Sequence, residues 1–216
     1  METGGPSELP RRKEKKMAKK RGPKMMWVPP AAKAIQFKVA LRYIRPSIWR
    51  RVVLPDNFTL GQLHDVIQIT MGWYNCHMHA FRVPRRGFGP PLREFGSGLD
   101  TAENENMAFV GAVLVRKGQK LLYEYDFGDG WEHEIVVEKM LPIDPQTNYP
   151  VCLAGARACP PEDCGSFPGY MNILEALKAP KKTAEQKELL EWLEDGYDPE
   201  RFDMDAVNRQ LGGKRT

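Results

Sequence analysis

Four histidines, His64, His77, His79 and His133, and two turn carboxylates, Asp126 and Asp129, are the residues best equipped for chemistry. An imidazole changes charge near neutral pH and binds divalent metals through either ring nitrogen. His77-x-His79 puts two imidazoles on one side of an extended chain, about 7 Å apart by strand rise, close enough to share a ligand. His133 alternates in phase with Trp131, Ile135 and Val137, which places it on the packed face of a strand. His64 falls on the apolar stripe of a helix. The six residues are therefore expected to converge on one polar site. His77, His79 and His133 are its candidate metal ligands, with zinc the natural ion, and either aspartate can partner an imidazole base. The structural alternative is a set of core histidines hydrogen-bonded to backbone or carboxylates.

Two further motifs carry donor atoms. Tyr123 to Trp131 reads YEYDFGDGW, and Asp126, Asp129 and the following Glu132 offer oxygen ligands to a hard cation. Its Asp-Phe-Gly matches the protein-kinase magnesium motif only by accident, because the chain lacks the glycine-rich loop, strand lysine and catalytic loop that accompany it. Asp129-Gly130 is also an ordinary hairpin turn signal. Cys152, Cys159 and Cys164 are a second candidate zinc set, although the close C-x2-4-C pair usual in structural sites is missing. Between them, Glu162 and Asp163 are carboxylates with no assigned partner.

Charge is unevenly distributed along the 216 residues. The formal charge is +4, but the first 30 residues alone carry +6, so a mildly acidic body follows a basic segment. Arg11, Arg12, Lys13, Lys15 and Lys16, with Arg85 and Arg86 further on, are candidate contacts to nucleic-acid phosphates. No aromatic residue is interleaved with the first group, so it reads equally as a solvated tail, or as sequence ahead of a start at Met17. Residues 1–34 are expected to be a disordered tail. No apolar run approaches the ~18 residues of a spanning helix, and no signal-peptide core follows the basic start. Four cysteines are too sparse for a disulfide scaffold. A cytoplasmic protein with reduced thiols, away from the membrane, is expected.

The elements that must position these groups follow from periodicity. Strands are expected near 36–44, 48–54, 76–83, 108–115, 120–127 and 131–140, with Phe37, Val39, Leu41 and Tyr43 sharing a face of the first. Thr59 and Gln62 form a capping box for a helix that buries Leu63 and Ile67 and stops at Gly72. A long irregular loop spans 84–106. Helices follow near Tyr170–Leu177, after a second capping box at Thr183 and Gln186, and after Asp203. Strands first and helices last define an α+β fold, a mostly antiparallel sheet with one early helix and a C-terminal helical segment packed on it. One domain over residues 35–211 is expected, with residues 212–216 as a disordered end.

Several segments in series resemble a known family. They are RPSIWRR at 45–51, TLGQLH at 59–64, MGW at 71–73, HMH at 77–79, YDFGDGWEH at 125–133, PPEDCG at 160–165 and YDPERF at 197–202. The chain resembles the plasmid pRiA4b ORF-3-like family, which includes passenger proteins of mobile elements. It departs after Cys164, where the family commonly has Gly-Gly and this chain has Gly165-Ser166. The resemblance implies an α+β domain in a mobile-element setting and no particular reaction. Two functions are carried forward: an accessory or binding domain contacting nucleic acid or a mobile-element protein, and a metal-assisted hydrolase or nuclease built on the histidine and aspartate cluster.

Overall fold

The computed structural model describes Met1 and residues 30–91, 102–193 and 196–213. Eight strands form one sheet: β1 (Lys33–Leu41), β2 (Trp49–Pro55), β3 (His79–Val83), β4 (Arg86–Gly89), β5 (Glu103–Asn104), β6 (Lys120–Tyr125), β7 (Trp131–Pro142) and β8 (Val151–Ala156). Their order is β5-β4-β3-β6-β7-β1-β2-β8, and every pairing is antiparallel except β4 with β5. Among the described residues, five α-helices accompany them: α1 (Leu60–Met71), α2 (Val110–Val113), α3 (Ser166–Lys178), α4 (Ala184–Glu191) and α5 (Met204–Gly213). The fold is α+β. Among the described residues, no helix is long and apolar enough to cross a membrane.

Local chemistry explains the early helix. Thr59 accepts from the Gln62 backbone N–H, Gln62 answers by accepting from the Thr59 N–H, and Gly72 ends the helix in the left-handed region. Leu60, Leu63, Val66, Ile67 and Met71 enter one core with Phe37, Val39, Phe81, Leu121 and Ile135. In β7 the alternation holds as read, with Trp131, His133, Ile135 and Val137 buried.

Several boundaries differ from expectation. Segment 108–115 is not a strand. Its residues are apolar at almost every position, so no period separates strand from helix. Val110 and Gly111, the first residues of the short α2, donate to the Phe58 and Asp56 carbonyls. Tyr43 lies beyond β1 with φ 67° and is exposed. The expected 76–83 strand begins only at His79. The long loop contains β4 and β5, too short for an alternation to register, and β8 takes in Cys152, where no strand was expected. Lys33 and Ala34, placed in the tail, open β1, and α5 runs through Gly212 and Gly213. The rest of the tail, residues 2–29, and residues 214–216 lie outside the described residues.

Candidate functional site

The histidines are arranged in two linked groups. The inner group is built on Tyr123 of β6. His64, from the buried face of α1, stacks on His79 at the start of β3, with ring centroids 3.5 Å apart and planes 7° from parallel. Tyr123 accepts from Gln68 Nε2 at 3.0 Å, and its hydroxyl lies 2.8 Å from His64 Nδ1. His64 Nε2 lies 2.7 Å from Asn75 Oδ1, so the consistent tautomer donates from Nε2 and accepts at Nδ1. His79 Nε2 meets Glu105 Oε2 at 2.9 Å. Both are buried, and the pair ties the core to the segment around β5. Burial pushes the Tyr123 phenol well above its usual pKa, so it stays a hydroxyl that can donate.

His133 borders this group through its ring. Its ring lies 5.3 Å from that of Tyr123 and meets Trp73 edge-on at 5.2 Å. Nδ1 donates to the Trp131 carbonyl at 3.1 Å, while Nε2 is buried and makes no hydrogen bond among the described residues. Full burial lowers its pKa to about 3, holding the ring neutral.

The outer group centres on His77, in the bend before β3. Asp126 opens the β6–β7 connection with φ 55°, and Asp163 takes φ 53° in the turn before α3. From His77 Nε2, Asp163 Oδ1 is 3.1 Å away, Asp126 Oδ2 3.7 Å and Glu162 Oε2 3.8 Å. Glu162 Oε1 accepts from the Tyr74 backbone N–H and from the Tyr125 hydroxyl, each at 2.9 Å. The Tyr125 ring, 5.8 Å from that of His77 and 4.9 Å from that of Trp73, connects the outer group to the inner one. The shared site of the sequence reading is thus a chain of rings with two polar ends. His77 and His79 serve different ends, because the chain is bent rather than extended at His77. Asp129 joins neither group; its Oδ2 is buried and unbonded among the described residues.

The remaining candidates are placed as follows. Cys152, Cys159 and Cys164 are buried free thiols that form no cluster of metal-ligand atoms among the described residues. Burial pushes Cys159 and Cys164 up to about 12, so both thiols are protonated at neutral pH. Arg86 is held bidentately by Glu103 at 2.7 and 2.8 Å, and the neighbouring Arg82 pairs with Glu124. Arg85 is exposed in the β3–β4 turn with φ 67°. Arg11, Arg12, Lys13, Lys15 and Lys16 lie outside the described residues.

One further feature had no sequence signal. A cleft of about 610 Å³ opens between the end of α1 and the C-terminal helices, walled by Trp73, Cys159, Trp192, Tyr197 and Phe202, with Arg50 among its lining. Arg50 is 1% exposed. Its Nε donates to Thr70 O at 2.6 Å, and Nη1 donates to the Trp49 and Ala156 carbonyls at 2.9 Å each. The guanidinium also lies over the Phe202 ring at 4.1 Å. Among the described residues no carboxylate pairs with it, a rare state for a buried cation. Gly155 makes this packing possible, since a Cβ there would lie 2.5 Å from Phe202 and 2.9 Å from Arg50. Cys76, Glu162 and Asp163 line the same cleft, which brings the outer histidine group to its mouth.

The chain belongs to the plasmid pRiA4b ORF-3-like protein family, whose sequence profile matches residues 33–206. It is 37% identical over 181 residues to the uncharacterized protein y4hQ of Sinorhizobium fredii, covering 83% of this chain and 91% of that one. It also resembles the crystal structure of MM3350, a protein of unknown function from Methanosarcina mazei Go1. The TM-score is 0.72 and the identity 36%, over 81% of this chain and 97% of that one.

Proposed function

We propose that the protein is a non-catalytic binding domain that takes an organic anion with an apolar or aromatic body into the cleft over Arg50. The observation that carries the reading is the buried guanidinium that lines an aromatic-walled cleft with no carboxylate partner among the described residues. Burial itself lowers the Arg50 pKa, and an anionic ligand would offset that cost. Apolar walls supply affinity, and a single charged group fixes orientation. The four thiols, none in a disulfide, suit a reducing cytoplasm. The plasmid-derived family description supports a mobile-element setting for the ligand or partner. A nucleic-acid surface at the β3–β4 turn is less favoured, because Arg82 and Arg86 are already paired with glutamates.

The hydrolase reading retains only part of its machinery. His79 and His133 are buried, so of the histidine and aspartate cluster it keeps only His77 and Asp126 in one group. The binding reading is tested with 8-anilinonaphthalene-1-sulfonate, an aromatic anion. Saturable 1:1 binding that Trp192→Ala weakens about tenfold is expected, since Trp192 lines the cleft and is half exposed. Binding indifferent to that change would place the dye elsewhere and remove the proposal's support.

A further inference from the structure

We propose that Cys76, His77 and Glu162, with Asp126 and Asp163 beside them, bind one divalent transition-metal ion of the zinc class at the mouth of the cleft. Two groups, Cys76–His77–Glu162 and His77–Asp126–Asp163, each bring their ligand atoms within 4.8 Å of one another, and His77 belongs to both. Ligands sharing a zinc ion at about 2.0–2.3 Å stand about 3.3–3.8 Å apart along the edges of a tetrahedron. The three carboxylate oxygens around His77 Nε2 stand at 3.1, 3.7 and 3.8 Å. Their spacing is that of a coordination shell, slightly contracted at Asp163.

An independent observation points the same way. The Glu162 side chain is only 10% exposed. Its Oε1 is held by Tyr74 and Tyr125, while Oε2 is buried and takes no hydrogen bond among the described residues. His77 Nε2 is likewise buried and unbonded, because Asp163 is near enough but poorly aligned. A carboxylate oxygen and an imidazole nitrogen left unsatisfied toward each other cost free energy that a shared cation recovers. Protonating His77 supplies one proton at Nε2, which satisfies one of three carboxylates; a divalent ion engages several at once.

The donor types select the ion. Imidazole and thiolate favour zinc-class metals over magnesium or calcium, with carboxylates completing the shell. Coordination would release the Cys76 thiol proton to solvent. The outer contacts are in place: Tyr125 and Tyr74 fix the rotation of Glu162, and the Gly128 N–H holds Asp126 Oδ1 at 2.9 Å. The site stands on this geometry whatever occupies the cleft.

The test uses the untagged full chain, stripped with chelator and titrated with Zn2+ and separately with Co2+. One tight equivalent of Zn2+ is expected, and His77→Ala and Glu162→Gln should each weaken it at least about tenfold. With Co2+, a near-ultraviolet thiolate-to-metal band should appear and vanish in Cys76→Ser. Circular dichroism checks each variant's fold; if His77→Ala unfolds, the nearly isosteric Glu162→Gln decides. Absence of saturable 1:1 binding, or affinity unchanged in Glu162→Gln, overturns the proposal. A cobalt band that survives Cys76→Ser overturns the assignment of Cys76.

Discussion

His133 shows what a single buried side chain does to the whole equilibrium. Its ring is neutral in the fold, with a pKa lowered to about 3, yet it titrates near 6.5 once unfolded. Between those values the unfolded chain binds the extra proton, so stability is complete above about pH 6.5 and falls as pH drops below it. The loss is about 1.4 kcal/mol per pH unit. Urea unfolding at pH 7.5 and 5.5 should therefore differ by about that amount through His133, and His133→Leu should flatten the difference. An identical pH dependence in the variant would contradict the assignment. The opposite case is Glu138, which the Arg51 guanidinium and Gln36 hold down to about 2. Its contribution is present above about pH 4.5 and is lost only as pH falls toward 2, outside that window.

At the scale of elements, the turn before α3 decides whether the outer group exists. Gly169 lies in the first turn of that helix, and a Cβ there would fall 1.8 Å from the Cys164 carbonyl oxygen. Backbone cannot yield as a flexible side chain can, so Gly169→Ala should cost about 3 kcal/mol or more. It should also displace Glu162 and Asp163. Gly212→Ala, with open space around its Cβ in α5, should be neutral or stabilising by about 0.5 kcal/mol. Thermal unfolding of the two variants checks the contrast, and equal stabilities would refute it. Elements with strong local codes were legible from sequence: the Thr59 and Thr183 capping boxes, the Gly72 stop and the alternation of β7 all stand as read. What escaped was non-local. Nothing near Glu105 announces that it will meet His79, and nothing near Arg50 shows that Gly155 will let Phe202 cover it. Glu162 and Asp163 could be seen as unassigned carboxylates, but their convergence on His77 depends on a turn some 85 residues away in sequence.

Across the whole molecule, the sheet interleaves the chain. β6 and β7 from the second half sit between β3 and β1 from the first, so neither half can keep its pairings alone. One cooperative unfolding transition should follow, coincident by tryptophan fluorescence and far-ultraviolet circular dichroism. Two separated transitions would contradict it. The same interleaving builds the cleft, because β2 supplies Arg50, the end of α1 supplies Trp73, and the C-terminal segment closes the far wall. A buried cation without a carboxylate partner should make that cleft selective for charge as well as shape. The most direct measurement compares the affinities of 8-anilinonaphthalene-1-sulfonate and its neutral counterpart, N-phenyl-1-naphthylamine, for the wild-type protein. The anion should bind at least about tenfold more tightly, which is about 1.4 kcal/mol. Equal affinities, or preference for the neutral dye, would contradict an anion-binding cleft.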